Sequence, residues 1–233
     1  MTSFTAEVFQ NEFLPAGADT VDAVVTVRSS GEVDVGRSRK DAVEMIVIDT
    51  SGSMQEEGGR KMRAAREATK AAIDTIDDGV YFAIVGGNAG AYMIYPHEGL
   101  AIADARTREE AKQMVNRVQA NGGTAIGTWL KAAGYLAGLR PGAIAHCLLL
   151  TDGKNQHEED WVLDGAITSC IGLFQCDARG LGSDWDIEEM RKISAALLGS
   201  VDIIPRPEDM EAEFTRLTEA AMGKQIGSVA LRL

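Results

Sequence analysis

The sequence predicts an α/β fold in which helices flank a doubly wound, mostly parallel sheet. Continuous apolar runs at residues 43–48 and 145–151 indicate strands buried on both faces, because half-exposed strands alternate between apolar and polar residues. Residues 60–76 instead space their apolar side chains three and four apart, which is typical of an amphipathic helix. Such strands and helices alternate along the chain, and right-handed crossovers between them build a doubly wound sheet.

The remaining elements follow in the order that this fold requires. Predicted strands cover residues 43–48, 80–85, 91–95, 145–151, 174–181 and 201–204. Predicted helices cover residues 60–76, 107–118, 125–137, 158–170 and 186–198, with a last helix opened by Pro207. Thr107 and Glu110 have the spacing of a capping box at the start of their helix.

The two chain ends differ from this α/β pattern. Residues 4–9 and 20–27 are rich in β-forming side chains, and residues 226–233 alternate as a strand does. A lone strand is not stable by itself, so we expect the last segment to join the first two in a small antiparallel sheet. The predicted organisation is therefore an N-terminal β segment at 1–38, an α/β domain at 39–223 and a returning strand at 224–233.

Composition excludes several classes of protein. The chain has 233 residues, 45% of them hydrophobic and 25% charged, which is ordinary for a globular domain. A net charge of −12 argues against nucleic acid and anionic membranes as partners. The sequence has no apolar run long enough for a membrane span and no secretory signal, and its three cysteines lack metal-ligand spacing. We therefore expect free thiols and a cytoplasmic protein, while the oligomeric state stays open.

Polar side chains follow the first buried strand. Asp49, Ser51 and Ser53 occupy alternate positions of a glycine-containing loop, so their oxygens can turn toward one point. In open α/β sheets, ligands bind at the carboxyl ends of the strands. A carboxylate and hydroxyls around one point suit a hard divalent cation such as Mg²⁺.

The segment Asp49-Thr50-Ser51-Gly52-Ser53 resembles the DxSxS loop of von Willebrand factor type A domains. Two later residues arrive in the order of that family's other motifs: Thr124, which precedes a helix, and Asp152, which ends a second buried strand. The resemblance, to the bacterial type, runs from about residue 43 to residue 223. It implies a Rossmann-like fold and an intact metal-ion-dependent adhesion site (MIDAS).

In such a site Ser51, Ser53 and Thr124 would hold the ion directly or nearly so, and Asp49 and Asp152 would act largely through water. The ion would be Mg²⁺, or else Mn²⁺ or Ca²⁺. The implied function is non-catalytic: the cation recruits an Asp or Glu carboxylate of a partner protein. Bacterial relatives serve in chelatase complexes, stress-response clusters and surface adhesion, so a subunit of such a complex is an alternative.

Other interpretations compete with this one. Asp49 and the serines could form only a turn and a helix cap. A metal-dependent hydrolase of the aspartyl-phosphatase kind would use Asp49 as nucleophile, but Ser51 stands where its general acid is needed. A nucleotide site is disfavoured because the glycine-rich phosphate-binding patterns are absent.

A zinc site is disfavoured because His97, His146 and His157 are scattered along the chain. The acidic residues 158–160 are better explained as the opening of a helix. We expect Trp129 to pack in the interior rather than flank a binding face.

Overall fold

The computed structural model describes residues 3–10, 13, 17, 19–20, 23–30, 41–182 and 185–224. Contacts along the chain divide it into two units, residues 1–38 and 39–233. Each unit is described by itself.

The first unit contains an antiparallel pair of strands, β1 (Ser3–Gln10) and β2 (Ala23–Ser30). Phe9 of β1 lies opposite Val24 of β2. The small antiparallel sheet predicted for the N-terminal segment is thus confirmed. The predicted strand at 226–233 lies outside the described residues. The returning C-terminal strand therefore stays a prediction.

The second unit alternates strands and helices. Its strands are β3 (Ala42–Asp49), β4 (Tyr81–Gly87), β5 (Ala91–Tyr95), β6 (Ala101–Ile102), β7 (Ile144–Thr151), β8 (Gln175–Leu181) and β9 (Val201–Ile204). Its helices are α1 (Glu56–Thr75), α2 (Ala105–Val115), α3 (Ile126–Gly138), α4 (Asp160–Cys170), α5 (Ile187–Ala196) and α6 (Met210–Met222).

These strands form one sheet in the order β5-β4-β3-β7-β8-β9, with β6 also pairing with β4. The pairs β3–β4, β3–β7, β7–β8 and β8–β9 are parallel, whereas β5 and β6 run antiparallel to β4. The predicted doubly wound, mostly parallel sheet is confirmed. The strand order reverses at β3. The next strand along the chain, β4, pairs with one edge of β3, and β7 pairs with its other edge. That reversal opens a crevice at the carboxyl ends of β3 and β7.

Both faces of the sheet are covered, as continuous apolar strands require. Val43, Met45 and Val47 of β3 pack in a core with α3, α4 and α5. Ile46 and Ile48 point to the other face, where α1, α2 and α6 pack. Among the described residues, no helix is long and apolar enough to cross a membrane. The cysteines at 147, 170 and 176 are buried and free, as expected.

The predicted cap of α2 is wrong by one turn. The helix begins at Ala105, and Asp104 rather than Thr107 is the N-cap. The Asp104 carboxylate accepts from the Thr107 backbone N–H at 2.7 Å, and the Thr107 hydroxyl accepts from the Asp104 N–H at 2.9 Å. This is a capping box in which a threonine replaces the usual Glu or Gln at the third position. Both Asp104 and Thr107 suit an N-cap, and the fold selects the earlier one.

A row of charged side chains crosses the amino-terminal half of the sheet on the α1 and α6 face. The His146 ring on β7 lies between two buried carboxylates, with Nδ1 2.9 Å from Glu44 Oε1 and Nε2 2.9 Å from Asp177 Oδ2. Asp177 also accepts hydrogen bonds from the Ser200 N–H and hydroxyl. Buried carboxylates are tolerated only when they are paired and hydrogen-bonded, and His146 supplies that pairing.

The charges of this row reinforce one another. Burial and the nearby Lys224 oppose a charged His146, but Glu44 and Asp177 outweigh them and raise its pKa to about 9. Burial disfavours a charged Asp177 as well, yet the hydrogen bonds from His146 and Ser200 hold its pKa below the usual range. Burial raises the pKa of Glu44. His146 is therefore the cation that links β3, β7 and β8.

His146 should make stability depend on pH in the alkaline range. Because its folded-state pKa is about 9, above the ordinary 6.5, its contribution is complete below about pH 6.5 and is lost as pH rises through 9. We compare the free energy of unfolding of the parent with that of His146→Gln. The advantage of the parent should be about 3 kcal/mol larger at pH 6.5 than at pH 9.5. Urea denaturation at both pH values measures this difference.

The exposed His97 supplies the control, since His97→Gln removes an imidazole outside the row. Its difference from the parent should not follow this pH dependence. An equal stability loss for His146→Gln at pH 6.5 and pH 9.5 would contradict the assignment of a charged His146.

Candidate metal site at the carboxyl edge of the sheet

The candidate site lies where β3 and β7 end side by side. Ile48 of β3 is paired in register with Leu150 of β7. Asp49 is therefore the last residue of β3, and Asp152 directly follows β7. Both carboxylates are fully buried. The sheet thus brings together two acidic residues that are far apart in the sequence.

Both oxygens of Asp49 are held by neighbours. Oδ1 accepts from the Ser51 backbone N–H at 2.7 Å, and Oδ2 accepts from the Thr151 hydroxyl at 2.7 Å. Burial raises the pKa of Asp49 to about 6, although these two hydrogen bonds act in the opposite direction. Asp49 therefore shapes the turn that follows it and ties the ends of β3 and β7 together.

The two serine hydroxyls lie together, and that of Ser53 contacts Asp152. The hydroxyls of Ser51 and Ser53 are 2.9 Å apart, and the Ser53 hydroxyl donates to Asp152 Oδ1 at 2.6 Å. Thr124 lies next to the serines, because its hydroxyl and that of Ser53 both face Gly153. A Cβ at position 153 would be 3.6 Å from Ser53 Oγ and 3.6 Å from Thr124 Oγ1. The structure therefore brings all five predicted residues into one place.

Backbone hydrogen bonds fix the loops that carry these residues. The Gly52 N–H donates to the Gly122 carbonyl at 2.9 Å, and the Asn121 N–H donates to the Thr50 carbonyl at 2.7 Å. The Thr50 N–H and hydroxyl both donate to the Gly87 carbonyl at the end of β4. The DxSxS loop is thus tied to the Thr124 loop on one side and to β4 on the other.

Three polar residues of the loop after β7 organise the start of α3, where Thr124 lies. The backbone N–H groups of Thr124, Ile126 and Gly127 donate in turn to side-chain atoms of that loop, namely His157 Nδ1 at 3.1 Å, Asn155 Oδ1 at 3.0 Å and Glu158 Oε1 at 2.5 Å. The N-cap position of α3 is Ala125, whose side chain cannot accept a hydrogen bond. The loop after β7 therefore caps α3 and sets the position of Thr124.

Sequence reasoning missed this role. His157 is one of the scattered histidines, and residues 158–160 are explained in the sequence as the opening of the next helix. In the structure that helix, α4, begins at Asp160, while Glu158 reaches α3 instead. No local signal pointed to this role, because Thr124 is a suitable N-cap for a helix predicted to begin at residue 125.

Lys61 of α1 is a second group that sequence reasoning missed. Its ammonium lies 2.8 Å from Asp152 Oδ2 and 3.4 Å from the exposed Glu56 carboxylate. Burial opposes its charge, but the hydrogen bond and charge of Asp152 outweigh burial and raise the pKa of Lys61. Lys61 and Ala65 stand four apart on the buried stripe of α1, so the signal was a lysine at an inward-facing position.

The tryptophan pointed out in the sequence packs in the interior. Trp129 of α3 is fully buried against Gly87, where a Cβ would be 2.3 Å from its ring. Its indole N–H donates to the Asn88 carbonyl at 2.9 Å. A glycine at position 87 is therefore required for this packing, and Trp129 packs against the end of β4.

The donor set consists of oxygen atoms. Three hydroxyls and two carboxylates suit a hard cation such as Mg²⁺ or Mn²⁺ rather than one that prefers nitrogen or sulfur. Among the described residues, no three His, Cys, Asp or Glu side chains are grouped to hold a metal. The residues present thus fit a hard cation held mainly by hydroxyls, with carboxylates behind them.

Comparison with known proteins agrees with the fold. The sequence matches the von Willebrand factor type A domain over residues 45–203. A solved von Willebrand factor type A structure from Catenulispora acidiphila is 47% identical, with a TM-score of 0.85, and the match covers 96% of this chain and 50% of that chain. An uncharacterized protein of Synechocystis sp. is 26% identical over 216 residues, 90% of this chain and 49% of that protein. This chain therefore spans about half the length of both relatives.

More distant structures share the fold. Proximal thread matrix protein 1 from the mussel byssus, solved with a zinc-occupied MIDAS motif, is 19% identical with a TM-score of 0.66. The match covers 78% of this chain and 46% of that chain. The match to residues 45–203, more than half of the sequence, shows that this chain belongs to the von Willebrand factor type A domain family.

Proposed function

We propose that this domain is a non-catalytic protein-binding module in which a divalent cation recruits an acidic side chain of the partner. Ser51, Ser53 and Thr124 would hold the cation, and Asp49 and Asp152 would act through water. The observation that carries the proposal is the chain of contacts from the Ser51 hydroxyl to the Ser53 hydroxyl and from there to Asp152, with Thr124 beside Gly153.

Burial leaves Ser53 as the accessible hydroxyl of the site. Asp49 and Asp152 are fully buried and Ser51 and Thr124 are buried as well, whereas Ser53 and Gly153 are half-buried. The carboxylates therefore lie on the inner side and a hydroxyl on the outer side, where a partner could approach. A cation held by neutral hydroxyls keeps most of its charge, and an anionic oxygen from outside is the natural ligand for it.

The local charge of a bound cation also explains how an acidic domain can bind an acidic partner. The net charge of −12 would by itself repel a partner's Asp or Glu. A divalent ion at the surface of the site reverses that field locally. Repulsion over the rest of the surface would then disfavour partners that do not engage the metal.

The choice of metal follows from the oxygen donors. Mg²⁺ and Mn²⁺ match them, and Ca²⁺ prefers oxygen too. Zinc is included among the ions to test because it occupies the MIDAS motif of the mussel byssus protein. We propose a non-catalytic role because the position two after Asp49 is Ser51, a poor general acid. The free, buried cysteines support a cytoplasmic location as part of the proposal.

Metal should stabilise the fold through the DxSxS loop. At a hundredfold excess over its Kd, a cation that binds only the native state adds about 2.7 kcal/mol to the free energy of unfolding. Asp49→Asn should abolish that gain because the carboxylate that supports the site is lost. Asp74→Asn, which changes an exposed surface ion pair with Lys112, is the matched control and should keep it. Thermal unfolding with Mg²⁺, Mn²⁺ or chelator measures the shift.

The metal part of the proposal would be refuted if the parent protein unfolds at the same temperature with each cation and with chelator. It would also be refuted if Asp49→Asn retains the full shift.

Thr124 should contribute through its hydroxyl rather than its shape. Thr124→Val keeps the volume and removes the oxygen, so Mn²⁺ affinity should fall about tenfold or more, the effect of losing one metal ligand contact. Thr128→Val, one turn further along α3, removes a hydroxyl whose partner among the described residues is the Ala125 carbonyl, and it should leave Mn²⁺ affinity unchanged. Calorimetric titration of both variants makes the comparison.

Partner binding should respond to the two threonine variants as Mn²⁺ affinity does. A protein captured from the source cell by immobilised parent and by Thr128→Val should be released by chelator, and Thr124→Val should not retain it. Capture that ignores both chelator and Thr124→Val would place the interface elsewhere on the domain.

A further inference from the structure

The ammonium of Lys61 is a fixed positive charge within the candidate site. Its side chain is 10% exposed, and that of its partner Asp152 is fully buried. The 2.8 Å contact with Asp152 Oδ2 is therefore shielded from solvent. Pairs of this kind are screened by salt much less than surface pairs.

Lys61 completes the hydrogen bonding of the two carboxylates. Asp152 receives the Ser53 hydroxyl on Oδ1 and Lys61 on Oδ2. Asp49 receives the Ser51 N–H and the Thr151 hydroxyl. The only full positive charge among these four donors is that of Lys61. A cation at the hydroxyls would therefore face two carboxylates, one of which is already neutralised.

We propose that Lys61 sets the balance between metal and anion at this site, which rests on the proposed metal-dependent function. Its charge lowers the affinity of the site for the divalent cation, because like charges repel at short range. The same charge raises the affinity of the metal-loaded site for the partner's carboxylate. Lys61 thus weakens metal binding and strengthens partner binding.

Glu56 acts on the same balance from the outer side. Its carboxylate, 63% exposed, is 3.4 Å from the Lys61 ammonium, so Lys61 lies between an exposed and a buried acid. Removing the Glu56 charge takes away a nearby anion that offsets Lys61. Glu56→Gln should therefore weaken metal binding and strengthen anion binding, whereas Lys61→Met should do the reverse.

A merely structural ion pair makes a different prediction. If Lys61 served only to hold Asp152 in place, its loss would disorder the site and weaken metal and anion binding together. The proposal requires opposite signs for the two affinities. Lys61→Arg, which keeps the charge, should restore values near those of the parent.

The test measures Mn²⁺ affinity by calorimetry and acetate binding to the Mn²⁺ form by water proton relaxation. Lys61→Met should bind Mn²⁺ about tenfold more tightly, the effect of an ammonium near a divalent ion even at the dielectric constant of water. Its Mn²⁺ form should bind acetate several-fold more weakly. Lys70→Met is the matched control, since Lys70 pairs with Glu67 on the outer face of the same helix, and both affinities should match the parent's.

Because Lys61→Met leaves a buried carboxylate without its cation, circular dichroism must first show that the variant is folded. If it is unfolded, Lys61→Gln, which removes the charge but can still donate a hydrogen bond to Asp152, decides the question: tighter Mn²⁺ binding with weaker acetate binding supports the proposal, and unchanged or parallel affinities overturn it.

The outcomes separate this inference from the proposed function. If the parent binds Mn²⁺ and folded Lys61→Met binds it no more tightly, the role of Lys61 is wrong and the metal site stands. If only Lys61→Met binds Mn²⁺, Lys61 opposes the metal as inferred, while the parent is not a metal-dependent module. If neither protein binds Mn²⁺, both proposals are wrong.

Discussion

Strands β3 and β7 run parallel with Ile48 opposite Leu150, and this register determines the site. It places the carboxylate of Asp49 2.7 Å from the hydroxyl of Thr151, so that the two strands end together. A slip of one residue would turn every side chain of a strand to the opposite face of the sheet. The apolar layers on both faces prevent such a slip, and the core therefore fixes the distance between Asp49 and Asp152.

Burying two carboxylates imposes the other features of the site. An uncompensated buried charge costs several kcal/mol, and removing one partner of a buried pair costs about 3–5 kcal/mol. The structure meets this demand with a donor for every oxygen, including the ammonium of Lys61 beside Asp152. In the proposed metal-loaded state the hydroxyl oxygens of Ser51, Ser53 and Thr124 would be the ligands, while the carboxylates keep their inner contacts. The same principle holds at the other end of the sheet, where His146 compensates Glu44 and Asp177.

The strands, the helices and the loop of Asp49, Ser51 and Ser53 could be predicted because their signals are local, and the family resemblance added Thr124 and Asp152. Apolar runs identify β3 and β7, and Asp49 and Asp152 stand directly at their ends. Groups that act through tertiary contacts could not be predicted. The helix pattern shows that Lys61 faces inward, but its partner Asp152 is known only once α1 is packed against the end of β7. The capping of α3 by His157 depends on a loop that is distant in sequence from Thr124.

The central claim is that a cation binds between the hydroxyls of Ser51, Ser53 and Thr124. Anomalous diffraction from crystals of the parent protein soaked in Mn²⁺ locates the ion directly. The account predicts one strong anomalous peak within about 2.0–2.3 Å of the serine hydroxyls, with Asp49 and Asp152 reached through water. It would be contradicted by a peak elsewhere, or by an empty site at a Mn²⁺ concentration that stabilises the protein in solution.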